Sequence, residues 1–314
     1  MGSASLEKGF VFLLETGAGI LGNSSLLCLY NFSWLTGHKL KPIDLILNQL
    51  VFANNLVLYS KGIPHTMAAF GLKYFLDDVG CKLVFYLHRV ARGVSLGTAC
   101  LLSGFQAIKL YSRTYRWLEH KTRSPKCITF CCSLCWILHL LTNVFIPMQV
   151  FGPTNSKNVS AKTHFGYCFS LRSDRLIVLL LGVVLSSFDV ICLVLMMWTS
   201  GSMVFFLIRH KQRVQHIHSN LFPHRPSHEV RATRIILILV SSFVTFYSLS
   251  SISTLYIILT VSPSQWLVDI PVFLDSCFPT FSPFLLIISN IHSSQLVLNF
   301  WAKISCKANL VKNL

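Results

Sequence analysis

Apolar positions in this chain come in long unbroken runs rather than in alternation or heptads. Stretches without Asp, Glu, Lys or Arg run Thr16–His38, Leu45–Ser60, Gly93–Ile108, Cys127–Ser156, Val190–Ile208, Ile235–Val268 and Ser276–Ala302. About 20 apolar residues, rising ~1.5 Å each, carry a helix across roughly 30 Å of hydrocarbon. The shorter runs reach that length once a single charge is admitted at or inside an end: Asp44, Arg92 or Asp189. The pattern predicts an all-α membrane protein, a seven-transmembrane helix bundle with helices near 9–31, 43–62, 81–110, 127–149, 176–209, 233–261 and 268–289. A membrane barrel would instead show ~10-residue segments of period two. Gly182, Gly201, Pro279 and Pro283 fall inside these spans, where neighbouring helices can re-satisfy the backbone.

Composition narrows the picture. Of 314 residues, 53% are hydrophobic and 12% charged, about half the ~25% charge of a soluble domain. That excludes a disordered chain and argues against one soluble globule, which would lack polar surface to cover its apolar mass. Lys and Arg number 27 against 11 Asp and Glu, a net charge of +16. In a soluble protein this would suggest a nucleic-acid partner. Here distribution explains it. With the N-terminus extracellular and the C-terminus cytoplasmic, the inner pieces 32–42, 109–126, 209–234 and 290–314 hold roughly twice the Lys and Arg of the outer pieces, among which Lys61 is counted. No nucleic acid is needed, and membrane lipid is the expected surrounding. Residues 1–8 then form an extracellular N-terminus, 9–289 the bundle and 290–314 a cytoplasmic tail. Glu15 interrupts any signal-peptide core, so the first helix is expected to be its own insertion signal. Leu6 stands where a myristoylation motif needs Ser or Thr. No internal repeat is visible, which fits poorly with a transporter of inverted repeats.

Eleven cysteines is an odd number. Cys28, Cys100, Cys131, Cys132, Cys135 and Cys192 lie in apolar runs and read as small buried hydrophobes. The Cys127–Cys135 cluster lacks a ligand loop, so no metal is expected there. Cys81 and Cys168 differ, because both fall on the outer side, where disulfides persist. A bridge would tie the loop after the fourth span over the third helix; the alternative is two unpaired loop thiols. The same loop carries Asn158-Val159-Ser160, a glycosylation acceptor. Asn23-Ser24-Ser25 and Asn31-Phe32-Ser33 match too, but in the bilayer or on the inner side.

Glu15, His88, Arg89, Arg92, His139, Asp189 and Asp275 fall at membrane depth. A charge there costs at least ~2.5–3.5 kcal/mol on insertion scales and normally faces a partner inside the bundle. Arg89 and Arg92, three apart, are expected to share a helix face. Two readings coexist. One is a structural ion pair joining Arg89 or Arg92 to Asp275 or Glu15. The other is a cationic pocket for an anionic or hydrogen-bonding small ligand, lined by His88, Arg89, Arg92 and Asp275. Asp189 reads as a link between helices. The absence of Lys between residues 235 and 302 excludes a retinal Schiff base in the seventh span. No nucleophile elbow or paired-carboxylate motif appears, so neither an enzyme nor a bound cofactor is expected. A channel or transporter is the rival class.

Several strings, taken together, resemble one family. They include Lys41-Pro42-Ile43-Asp44, Ala53-Asn54, Ser60-Lys61-Gly62-Ile63-Pro64, Thr66-Met67-Ala68-Ala69-Phe70-Gly71, Arg89-Val90-Ala91-Arg92-Gly93-Val94-Ser95, Leu101-Leu102-Ser103, His210-Lys211-Gln212-Arg213, Arg231-Ala232-Thr233 and Thr280-Phe281-Ser282-Pro283-Phe284. From about residue 15 to 300 the chain resembles the vomeronasal type 1 receptors. The resemblance implies a multi-pass plasma-membrane chemosensor of vomeronasal neurons that answers a pheromone or small odorant through a heterotrimeric G protein of the Gi/Go class. It matches the Cys81–Cys168 bridge and the Asn158 glycan position by position. Asn23 resembles the first-helix signature of rhodopsin-like receptors. Asn54 replaces their Asp, Phe105-Gln106-Ala107 their Asp-Arg-Tyr, and Ser282-Pro283 their Asn-Pro, so their sodium site and arginine switch are not carried over. Bitter taste receptors are the nearest sibling and fit less well. Lys109, Arg113, Arg116, Arg231 and Arg234 are expected on the surface that meets the G protein.

Overall fold

The apolar runs become helices. In the computed structural model, residues 3–36, 41–72, 75–111, 124–152, 162–164, 167–171, 175–217, 228–260 and 265–289 are described. The helices are α1 (Ser3–Leu35), α2 (Pro42–Val57), α3 (Ile63–Ala69), α4 (Asp78–Tyr111), α5 (Pro125–Thr142), α6 (Arg175–Ile217), α7 (His228–Leu259) and α8 (Gln265–Ser289). A π-turn, Leu58–Gly62, joins α2 to α3 without a break, so the helical run expected near 43–62 continues to Ala69. Among the described residues six segments are long and apolar enough to cross a membrane: Leu6–Leu35, Asp78–Leu110, Pro125–Met148, Ser187–Arg209, Thr233–Ile257 and Leu267–Ile288.

Helix ends follow local chemistry. Pro42 and Pro125 stand in the first turns of α2 and α5, where a missing N–H costs nothing. Asp44 accepts the Lys41 backbone N–H at 3.0 Å, a carboxylate at a positive helix terminus. α5 stops at Thr142, short of the expected 149, because Asn143 leaves helical geometry and its amide donates to the His139 carbonyl at 2.9 Å. α1 begins at Ser3, so most of residues 1–8 are helix rather than tail. α6 extends to Ile217, past the expected 209. The tail at 290–314 lies outside the described residues.

The core runs along the bundle axis through Leu50, Leu96, Leu102, Met196, Leu239 and Phe243, all buried. Large apolar side chains such as Leu14, Leu21, Trp198 and Ile288 point outward and are 68–76% exposed, the distribution expected of a surface solvated by hydrocarbon. In lipid no hydrophobic effect draws helices together, so close approach depends on small residues. Gly93 and Gly97, one turn apart on α4, leave no room for a Cβ because His139 and Cys135 of α5 fill that space. Gly22 of α1 faces Pro283 of α8 in the same way, with a Cβ falling 2.8 Å from Pro283 Cγ.

One end of the bundle carries a small antiparallel sheet, β1 (Val150–Phe151), β2 (Lys162–His164) and β3 (Phe169–Leu171), in the order β1-β3-β2. Strands this short leave no period for a sequence to display. The sheet is fixed to α4 by a disulfide between Cys81 and Cys168 and by the Gly152 N–H, which donates to Asp78 Oδ1 at 2.9 Å. Tyr167 is buried beside Phe75 and Phe85, and burial pushes its phenol above the ordinary tyrosine range.

Candidate functional site

About three turns into α8 from the sheet end, the helix presents Asp275, whose side chain is 5% exposed. Three other elements converge on it. The π-turn supplies Lys61, whose Nζ lies 2.5 Å from Oδ2. α4 supplies Arg92, with Nε 3.2 Å from Oδ1, and His88, with Nε2 3.6 Å from Oδ2. α7 supplies Ser250, whose hydroxyl donates to Oδ1. Arg92 also donates to Ser251 Oγ at 3.2 Å and lays its guanidinium 4.1 Å from the centre of the Tyr247 ring. Tyr247 in turn donates to Asp189 Oδ2 at 2.5 Å, linking α7 to α6. Cations stacked on an aromatic face and shared between carboxylates are strengthened by the low local dielectric.

The geometry realises the expected interhelical ion pair as Arg92 with Asp275 and corrects the placement of Lys61. Lys61 belongs inside the bundle at Asp275, not among the outer charges. It stands seven residues after the fully buried Asn54, two helical turns on, and that spacing was the available signal. Of the two arginines only Arg92 pairs directly with Asp275, with His88 four residues before it reaching the same carboxylate, while Arg89 lies beside Arg92 in the field of the same Asp275 and Asp189. Among the described residues Arg89 has no carboxylate within ion-pair distance. Glu15 joins neither arginine and lies instead against Cys277 of α8.

Counted as charges, Lys61 and Arg92 exceed Asp275 by one, and Arg89 is offset by Asp189, so the surplus over both carboxylates is one. Removing such groups from water without full pairing is costly, so the arrangement favours an additional anion or strong acceptor. At the cluster Val57, Arg92, Ser95, Tyr247, Asp275 and Phe278 line a narrow pocket with room for about one water. A larger guest requires those side chains to move.

Further from the sheet end the polar groups are neutral. Asn54 Nδ2 donates to Ser282 Oγ at 2.9 Å, and Asn54 Oδ1 accepts from Ser95 Oγ at 2.7 Å. With its oxygen taken by Ser95, Asn54 offers little to a cation. α8 carries Pro271, Pro279 and Pro283, and each proline leaves the carbonyl four residues before it without its helical donor. For Pro283 that carbonyl is Pro279's, and Asn23 Nδ2 of α1 donates to it at 2.7 Å.

Of the basic residues expected at the opposite end, Arg234 is exposed on α7 and Lys109 lies half-buried in the last turn of α4. Arg113, Arg116, the side chain of Arg231 and the glycan acceptor Asn158 lie outside the described residues.

Comparison with known proteins places these features. The sequence profile described as "Vomeronasal organ pheromone receptor family" matches residues 6–300. Human "Vomeronasal type-1 receptor 1" is 55% identical over 295 residues, covering 94% of this chain and 83% of that protein. Human "Vomeronasal type-1 receptor 4" is 48% identical over 287 residues, covering 91% and 95%. The zebrafish (Danio rerio) "Olfactory receptor class A-like protein 1" is 32% identical over 284 residues, covering 90% and 89%.

Proposed function

This chain belongs to the vomeronasal type-1 receptor family, and from that premise we propose that it detects a pheromone or small odorant at the Asp275 cluster and signals through a G protein. The single observation carrying the site is the surplus of half-buried cations around one carboxylate, Lys61 and Arg92 against Asp275 with Arg89 close by and the His88 imidazole within reach of the same oxygens. A ligand with an acidic or strongly accepting group matches that surplus. Ligand contact then favours one of two packings of the bundle, because helices tied at a single carboxylate shift together when its partners are shared with a guest.

In this reading the run α2–π-turn–α3 is the seventh crossing. The sheet end with its disulfide is extracellular, and so is the N-terminus; the C-terminal tail is cytoplasmic. The protein resides in the plasma membrane, surrounded by lipid, and couples to a Gi/Go-class protein through the basic end carrying Lys109, Arg113, Arg116, Arg231 and Arg234. Asn158, in the loop beside the sheet, carries the glycan. No catalytic step, metal or cofactor enters.

The deciding experiment is a cell-based G-protein assay with a panel of urinary and steroid compounds, run on wild type, Arg89→Ala and Arg92→Ala with surface labelling in parallel. Loss of response with surface expression retained supports the site. Loss of response only in proportion to lost expression leaves these arginines structural and overturns it. Tags at the two ends, labelled on intact cells, test the topology: accessibility of both ends from one side rules out an odd number of crossings.

A further inference from the structure

Asp189 forms a second carboxylate centre, and it is less complete than the one at Asp275. Tyr247 donates to its Oδ2 at 2.5 Å, while no described residue donates to Oδ1. The carboxylate sits in the field of Arg89 on α4 and of His139 on α5. His139 is 4% exposed, and its Nε2 is buried without a hydrogen-bond partner among the described residues. Its ring is held in place. One side is seated on Gly93, where no Cβ fits, and the ring meets Phe188, the neighbour of Asp189, edge-on at 5.3 Å. A buried, unsatisfied imidazole nitrogen is a cost that native structures seldom carry without a function or a bound partner.

We infer that His139 and Asp189 form a second ligand subsite that takes a neutral hydroxyl, the ligand's acidic end lying at the Asp275 cluster. A hydroxyl both donates and accepts: it can donate to Asp189 Oδ1 and accept from His139 Nε2–H. A carbonyl oxygen could not donate to Asp189, and an ammonium would meet the Arg89 charge. The two centres are joined through Arg92 stacked on Tyr247, so a compact apolar body with an acid at one end and a hydroxyl at the other spans them. This subsite rests on the reading of the Asp275 cluster as an anion site.

The test uses purified full-length receptor in lipid nanodiscs and straight-chain acids of about eight to twelve carbons, each with and without a terminal hydroxyl. Affinities are read from the ligand-induced rise in unfolding temperature. The hydroxy acid of matching length should bind wild type about tenfold more tightly than its parent acid, and that ratio should fall to about one in both His139→Phe and Asp189→Asn. His139→Phe keeps a ring against Gly93 and Phe188, and Asp189→Asn keeps an acceptor for Tyr247. Equal binding of each pair by wild type overturns the subsite, as does a preference that survives both substitutions. If no acid of either kind shifts the unfolding temperature, the anion reading of the Asp275 cluster falls, and the subsite with it.

Discussion

Around Asp275 the bundle gathers more positive charge than one carboxylate neutralises, whereas two turns further from the sheet end Asn54 binds Ser95 and Ser282 with no charge at all. Both layers tie α4 and α8 to the helical run of α2 and its π-turn, Asn54 from α2 and Lys61 from the turn. In the neutral layer the Asn54 amide and the two hydroxyls satisfy one another, and the helix break at Pro283 is met by Asn23, whose own Oδ1 is buried without a partner among the described residues. Such a layer holds helices in register and needs no guest. The charged layer does not close. Its surplus cations are expensive at that depth, and in the proposed reading a ligand that arrives from outside offsets them. On that reading the two polar layers divide the work, one stabilising the scaffold and the other responding to the ligand.

The strongest way to break this division is to remove Asp275. Asp275→Ala leaves Lys61 and Arg92 buried without their anion and should cost about 3–5 kcal/mol, read as a lower unfolding temperature in nanodiscs or as loss of surface expression. Adding Lys61→Ala to that variant should recover part of the loss, because the double variant buries one uncompensated charge fewer. Absence of any recovery would show that the lysine does not depend on this carboxylate.

The disulfide comes next, since it fixes the sheet above the charged layer. It closes a loop with a sequence separation of 87 residues, and Cys81→Ser should lower stability by about 2–4 kcal/mol. Reducing agent should leave the variant's unfolding temperature unchanged while lowering that of wild type.

How far the sequence revealed these layers depends on the kind of signal. The helices were legible because charge-free runs of membrane-spanning length have one economical solution in lipid. Asp275, Arg92 and His88 were legible because ionisable residues at that depth need a reason. Lys61 was harder, since a charge beside Gly62 and Pro64 looks like the end of a helix; its spacing from Asn54 was the one hint, and the π-turn, which carries the helix on to Ala69, reveals that it lies within the bundle. Which of the two arginines pairs with Asp275 was hidden for a related reason. A spacing of three lets both share a face, and only the packing of α4 against its neighbours puts Arg92 rather than Arg89 within ion-pair distance. The strands β1 to β3 were missed because two or three residues carry no pattern.

The neutral layer supplies the next test. Asn54→Ala removes two interhelical hydrogen bonds and strands the Ser95 and Ser282 hydroxyls; the expected loss is about 1–2 kcal/mol. The division of work adds a condition. Agonist potency, corrected for surface expression, should change little in Asn54→Ala, while Arg89→Ala should alter potency with little change in unfolding temperature. If Asn54→Ala reduced potency and Arg89→Ala reduced only stability, the roles assigned to the two layers would be reversed.

The smallest effect is expected at the sheet end of α1, where Lys8 Nζ lies 2.9 Å from Asp269 Oδ2 and His65 Nε2 lies 3.4 Å from Oδ1. These side chains have more access to water than Asp275: Lys8 is 27% exposed and Asp269 14%, against 5% for Asp275. An accessible pair gains little because hydration and salt compete with it. Lys8→Met should therefore cost no more than about 1 kcal/mol, and the difference from wild type should shrink as salt is raised. The contrast with Asp275→Ala lies in the response to salt. Both variants break a lysine–aspartate contact to α8, Asp275→Ala also takes the acceptor from Arg92, His88 and Ser250, and only the loss at the buried carboxylate should resist screening. A salt-independent loss at Lys8 equal to that at Asp275 would mean that depth does not set the strength of these contacts.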